Sequence, residues 1–244
     1  MMIYIKPHSR LNQSRLCRSI TYRKEDKMSV NPFTPPFTSL PETLPIFPLP
    51  GAILLPGAEL PLNIFEPRYL NMIEDALGSH RLIGMIQPDP AADNDIDICH
   101  TGCAGRISQY RETADCRIEM VLTGICRFDV SEEMSTTRGY RLIMPNWSRF
   151  SNDFVDQARV LEDRHQVLVA TLKSFFDARG FEADMNKLEH LPVMRLVDSL
   201  TMALPFEMSE KQMLLETVDA EARYANFIAL IEGEFEIPDS ATRH

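Results

Sequence analysis

The sequence predicts an α+β fold, β-rich to about residue 150 and helical afterwards. Three observations carry that reading. Apolar residues alternate with polar ones in repeated segments at 58–65, 98–110, 116–130 and 138–147, the period-two signature of half-buried strands. Within "CRIEMVLTGICRFDV" the phase slips at Gly124: Ile118, Met120 and Leu122 face one way, then Cys126, Phe128 and Val130 resume after the glycine. A glycine at a phase change marks a bulge or tight bend, and repeated strands with bends indicate a small barrel rather than a flat sheet. From about residue 152 the spacing becomes helical, with Ala158, Leu161, His165, Leu168, Leu172 and Phe175/Phe176 on one stripe.

The elements follow in order. Residues 29–43, "SVNPFTPPFTSLPET", form a Pro/Ser/Thr linker. "LPIFPL" at 44–49 is a short strand, and "PGAILLPG" at 50–57 is a turn-rich apolar connection. The strand 58–65 gives way at Pro67 to a helix that Gly78 stops. Ten of the seventeen prolines lie between Pro32 and Pro67, so short strands and turns are expected there. "RLIGMIQ" at 81–87 reads as a buried strand before the acidic turn "PDPAADNDID". In the helical half, Gly180 stops the first helix and Pro192 opens a second, with Leu196, Val197, Leu200 and Leu204 inward. Ser209 and Gln212 have capping-box spacing for a third, and a fourth runs over about 219–232. No internal repeat is visible.

At 244 residues, 44% hydrophobic and 25% charged, the chain has the composition of an ordinary globular protein. Its apolar run around 52–65 is interrupted by Pro56, Glu59 and Pro61, too short for a membrane span. Charge is uneven: residues 1–28 hold seven Lys/Arg against two acids, a local net of +5, so a chain of net −10 carries −15 in the remainder. An acidic body repels nucleic acid and anionic membrane, which excludes both as principal partners. Residues 1–41 read as a disordered basic arm and proline-rich linker that contribute little to the fold. The arm has three readings: a start-site extension with Met28 as the alternative start, a transit peptide, or a disordered tail. Residues 6–27 of it are the one segment suited to RNA, the weakest of the functional alternatives. Five cysteines (Cys17, Cys99, Cys103, Cys116, Cys126) without a secretory signal point to free thiols and a cytoplasmic setting.

The motifs of catalysis are missing. ATP hydrolysis needs a glycine-rich phosphate cradle ending in Lys-Ser/Thr, and Lys173-Ser174 lacks the glycines. The spacing C-x3-C-x12-C-x9-C has no two-residue knuckle, so buried strand thiols are favoured over zinc. His165 and His190 form no H-E-x-x-H, and no G-x-S-x-G exists for a serine hydrolase. Acidic pairs such as Glu132-Glu133 read as solvated faces. No cofactor, metal ligand or catalytic residue is therefore assigned.

Glu66-Pro67-Arg68 is the sharpest local feature. Pro67 sets residue 66 extended and fixes the helix start, which places Glu66 at the N-cap, facing free amides. Arg68 then reaches a carboxylate or carbonyl of a neighbouring strand, giving a buried ion pair that orients helix on sheet.

Longer segments support a family. "LPIFPLPGAILLPGAELPLNIFEPRYLNMIEDAL", followed by "LIGMIQPDP", resembles the N-terminal domain of the ATP-dependent Lon proteases. "GCAGRI" at 102–107, "LTGICRF" at 122–128 and "LVDSLTMALPFEMSEKQMLLE" at 196–216 extend the likeness over nearly all of 42–233. The chain is similar to stand-alone bacterial proteins comprising only this substrate-binding domain. The resemblance implies a PUA-like β-barrel over 42–150 with a helix packed in it, then a helical subdomain over 151–235. It further implies recognition of unfolded or exposed apolar polypeptide segments, or of a Lon protease partner, without ATPase or protease domains in these 244 residues. Contacts are expected at Ile53, Leu54, Leu55, Phe65 and Tyr69, with Glu66 and Arg68 structural. The alternative is a small-molecule-binding or minor hydrolytic protein using a barrel pocket near Glu66, Arg68 and Tyr69.

Overall fold

The computed structural model describes residues 35–89, 97–155, 161–182 and 184–233, with three two-residue strands at Met2–Ile3, Lys6–Pro7 and Ile20–Thr21. The first of these pairs with the third, and Lys6–Pro7 pairs antiparallel with Phe181–Glu182. The rest of the basic arm, Ala158 and most of the acidic turn after Pro88 lie outside the described residues.

Six strands build the main sheet: β1 (Leu44–Pro48), β2 (Glu59–Ile64), β3 (Leu82–Ile86), β4 (Thr101–Glu112), β5 (Ile118–Met134) and β6 (Arg141–Asn146). Their order is β2-β5-β4-β3-β1-β6, and β6 also pairs back onto β5. That extra pairing closes five strands into a ring and leaves β2 outside it. The 17-residue β5 makes this topology work: residues 118–123 pair with β2, and residues 129–134 pair with β6. Only β1–β3 is parallel.

The bend expected at Gly124 is a β-bulge. Ala104 pairs with Cys126 and Gly105 with Gly124, so Ile125 is the extra residue. Here β5 turns from one neighbour to the other. A Cβ at Gly124 would sit 2.8 Å from the carbonyl carbon of Leu55, so only glycine permits the 52–55 segment to cross at this point.

Both faces of the sheet are buried. One carries Leu44, Ile46, Ala104, Cys126, Phe128 and Ile143, with Phe150 from the 3₁₀ segment Ser148–Phe154 added to the same cluster. The ring of Phe128 leaves no spare volume: a Cβ at Gly84 or Gly102 would stand 2.9 or 2.6 Å from it. The other face carries Phe47, Ile83, Met85, Ile107 and Leu122 beneath helix α1 (Pro67–Leu77). That helix buries Tyr69, Met72, Ile73 and Ala76, and Tyr69 meets Phe47 at 4.3 Å between ring centroids. Each fully buried Leu or Ile of these layers is worth about 1.5–3 kcal/mol relative to exposure, so the paired layers dominate barrel stability.

Beyond the barrel come α2 (His165–Arg179), the single turn α3 (Met185–Leu188), α4 (Val193–Ala203), α5 (Met208–Glu216) and α6 (Ala220–Gly233). Gly180 ends α2 in the left-handed region (φ 64°), as its position predicts. The capping box of α5 is formed by Glu207 and Glu210 rather than by Ser209 and Gln212. Helix α5 begins two residues earlier than the Ser-x-x-Gln spacing indicates, and Gln212 is turned inward to the barrel, where it donates to the Thr101 carbonyl. Among the described residues no helix is long and apolar enough to cross a membrane.

Candidate functional site

The N-terminal half of β5 and the C-terminal half of β4 run on past the barrel as a hairpin, with β2 laid alongside, so three strands form a projecting ribbon. The hairpin turn is set by Thr113, whose hydroxyl contacts Asp115 and the Arg117 carbonyl, and by Cys116 with φ 61°. A shallow groove lies on this ribbon, lined by Pro61, Asn63, Tyr110, Met120 and Val121. Its rim charges are mutually neutralised, Arg111 with Glu119 and Arg117 with Asp115 at 2.8 Å. At the ribbon's end Phe65 is 61% exposed, with the Arg117 guanidinium 5.6 Å from its ring centroid, and Tyr110 is 50% exposed. Phe65 and Tyr110 are thus the exposed aromatic rings of the ribbon among the described residues.

The outer edge of β2, near which the two-residue strand Ile20–Thr21 lies, is guarded. Gly124 N–H donates to the Ala58 carbonyl at 2.9 Å, so by the alternation of an antiparallel pair Leu60, Leu62 and Ile64 bond to β5 while Glu59, Pro61 and Asn63 face outward. Pro61 lacks an N–H, and Glu59 is charged, which opposes addition of another strand.

The residues expected from sequence divide sharply. Ile53, Leu54 and Leu55 are at most 3% exposed and belong to the core; a Cβ at Gly105 would sit 2.6 Å from Leu54 Cδ2. Tyr69 is buried too, against Phe47, with the Arg68 guanidinium 4.5 Å from its ring centroid. Burial pushes its phenol above the usual range, opposed by Arg68. Phe65 alone of the five faces solvent.

The buried ion pair expected at Glu66 and Arg68 is corrected by the structure. Glu66 occupies the N-cap position but makes no side-chain cap hydrogen bond. Its carboxylate instead takes the Arg68 Nε–H at 3.0 Å, and both side chains are about half exposed. Two residues apart across Pro67, the two charges satisfy each other in water, so neither needs the sheet. The link that does tie α1 to the barrel is elsewhere: Arg138 donates to both Asp75 oxygens at 2.9 Å, and Tyr140 donates to Asp75 at 2.8 Å.

Sequence reasoning missed the polar junction between barrel and helices. Arg127, 1% exposed, makes a bidentate pair with Asp153 (2.7 and 3.1 Å) and donates to the Leu215 and Thr217 carbonyls at 3.0 and 2.8 Å. Burial would lower its pKa, but Asp153 more than offsets this and holds it protonated. In "GICRFDV" Arg127 falls on the parity opposite Cys126 and Phe128, which reads as a solvent face. No local signal reports that helix α5 and Asp153 cover that face.

Cys99, Cys103 and Cys126 are buried free thiols and Cys116 is exposed; Cys17 lies outside the described residues. Burial pushes the Cys99 thiol up to about 11 and raises Cys103 and Cys126 as well. Among the described residues no three His, Cys, Asp or Glu side chains are grouped to hold a metal ion.

The fold is shared with known proteins. A crystal structure of a Lon N-terminal domain protein from Xanthomonas campestris superposes with a TM-score of 0.58 at 24% identity, covering 77% of this chain and 97% of that one. The N-terminal domain of a Mycobacterium avium complex Lon protease matches with a TM-score of 0.55 at 18% identity, over 78% and 98% of the two chains. In sequence, the Lon protease of Dictyoglomus thermophilum is 25% identical over 209 residues, which are 84% of this chain and 26% of that protein. The Lon protease of Anaeromyxobacter dehalogenans is 26% identical over 214 residues, 81% of this chain and 24% of that one. The chain thus spans about a quarter of the length of these curated relatives. The model of the ATP-dependent protease La (LON) substrate-binding domain matches residues 43–233, and the chain belongs to that family.

Proposed function

We propose that this chain is a non-catalytic polypeptide-binding module, taking exposed apolar segments of unfolded proteins on the groove beside Phe65. The observation that carries the reading is the pair of exposed aromatics, Phe65 at 61% and Tyr110 at 50%, on a projecting ribbon whose charges are already paired. Aromatic rings supply large contact area at low entropic cost, the composition expected of a weak, sequence-tolerant apolar site. Ile53, Leu54, Leu55 and Tyr69 support the site from beneath, as the packed layer that holds the ribbon's root. Family membership supports a polypeptide ligand, and the Lon proteases among its relatives make such a protease a candidate partner in a cytoplasmic setting. No observation favours small-molecule chemistry at Glu66, Arg68 and Tyr69, since the first two neutralise each other at the surface and the third is buried in packing.

The test is fluorescence anisotropy of a labelled, permanently unfolded casein titrated with the full chain, with and without ATP. Saturable binding that ignores ATP, with no cleavage of the label, supports the reading. Absence of binding at 100-micromolar protein, roughly the weak end of transient polypeptide recognition, overturns it.

A further inference from the structure

The N-terminal arm touches both halves of the molecule. Ile20–Thr21 lies beside β2, with Cα atoms within 8 Å of those of Glu59–Ile64. It pairs antiparallel with Met2–Ile3, Ile3 opposite Ile20 and Met2 opposite Thr21. Shortly after Ile3, Lys6–Pro7 pairs antiparallel with Phe181–Glu182, just past the glycine that ends α2. The same arm is thus attached at the ribbon and at the helical half.

Each attachment is weak by construction. Both pairings are two residues long, and an isolated two-stranded ribbon is marginal in water. Ile20–Thr21 does not enter the ladder of the main sheet, as expected beside an edge that carries Pro61 and Glu59. The attraction is general rather than local: residues 1–28 carry a net +5 and the remainder −15. Short pairings and diffuse charge hold a segment in place and give it up readily.

The place it holds borders the groove. Pro61 and Asn63 of β2 line that groove, and Phe65 at the ribbon's end stays exposed. A polypeptide that engages Phe65 and extends along β2 meets Ile20–Thr21. We propose that the N-terminal arm is a displaceable strap: Ile20–Thr21 sits beside β2, the Lys6–Pro7 pairing ties it to the helical half, and a polypeptide on the ribbon takes its place. The displacement rests on the polypeptide-binding reading of the ribbon; the seat of the strap does not. Apparent affinity is the intrinsic affinity reduced by the fraction of open molecules, so a strap closed in about nine molecules of ten weakens binding about tenfold.

A nitroxide on Cys17 of the full chain, in a Cys116→Ser background, reads the seat by nuclear magnetic resonance. Cys99, Cys103 and Cys126 are buried, and chain length alone keeps Cys17 within about 11 Å of Ile20. Paramagnetic broadening should fall on the amides of Glu59–Ile64, and saturating unfolded casein should remove it. An Ile3→Pro, Ile20→Pro variant, whose prolines oppose the Met2–Ile3 pairing, should lack the broadening and bind casein about tenfold more tightly. Both positions precede the family segment 43–233, so the barrel and helices should keep their fold. Unbroadened β2 amides in the unsubstituted arm, broadening that persists under saturating casein, or equal casein affinity in a variant that has lost the broadening overturns the strap. Casein bound by neither form refutes the polypeptide reading instead, and the broadening alone then decides where the arm sits.

Discussion

Gly124→Ala isolates the step on which the barrel closes. The new Cβ would collide with the Leu55 carbonyl oxygen, and lie 2.8 Å from the carbonyl carbon and 3.2 Å from Pro56 Cα. These are backbone atoms, so no rotamer change relieves the clash. Moving them also strains two hydrogen bonds at the bulge, Gly57 N–H to the Gly124 carbonyl at 2.8 Å and Gly124 N–H to the Ala58 carbonyl at 2.9 Å. Overpacking costs about 1–3 kcal/mol, and a strained buried bond adds about 1 kcal/mol. A loss of about 2–4 kcal/mol follows, a large share of the roughly 5–15 kcal/mol that holds a domain folded. Urea unfolding followed by circular dichroism should show a lower midpoint with an unchanged slope, the sign of lost stability without a changed unfolded state. Gly51→Ala is the control, because its φ of 68° strains alanine while nothing lies within 4 Å of the added carbon; its loss should be near 1 kcal/mol. A Gly124→Ala loss no larger than that of Gly51→Ala would refute the crossing of 52–55 over the bulge as the reason for the glycine.

The surface ion pair is a second case: replacing Glu66 with Gln should change stability by less than about 0.5 kcal/mol, read from the urea midpoint, because exposed pairs contribute little. Thiol labelling is a third: in a Cys17→Ser background at pH 8, a maleimide should modify Cys116 rapidly and leave Cys99, Cys103 and Cys126 untouched until urea unfolds the chain, as burial raises all three. Asp75 gives a pH dependence. Tyr140 and Arg138 hold its carboxyl below the ordinary value, so its contribution is present above the unfolded-state pKa of about 4 and disappears as pH falls through the lower folded value. Asp75→Asn should therefore cost under about 1 kcal/mol at pH 7, given its partial exposure, and progressively less as the pH is lowered below about 4, by thermal melts across that range.

Why some of this was legible and some not is clear from particular residues. Strand periodicity and the slip at Gly124 are local, because side-chain alternation is written residue by residue; the bulge at Ile125 follows directly. The helix at Pro67–Leu77 follows equally from its proline and apolar spacing. Ring closure depends on β1 meeting β6, Leu44 opposite Ile143, a long-range pairing that no single strand announces. "AILL" at 52–55 illustrates the main loss. Beside two glycines and three prolines it reads as an exposed turn, yet it fills the space that Gly105 and Gly124 leave empty, a fact carried by strands fifty or more residues away. Arg127 is the reverse: a charged residue on the apparent solvent side of its strand is covered by elements that come later in the chain. Burial of charge is a tertiary property, so pattern alone assigns it to water.

Anisotropy of labelled unfolded casein on the full chain, comparing wild type with a Phe65→Ser, Tyr110→Ser double variant, tests the polypeptide-binding reading most directly. Both side chains are at least half exposed, so the melting temperature should stay within a few degrees of wild type while affinity falls at least tenfold, about 1.4 kcal/mol. Unchanged affinity in a variant that retains its fold would contradict the placement of the binding site on the ribbon.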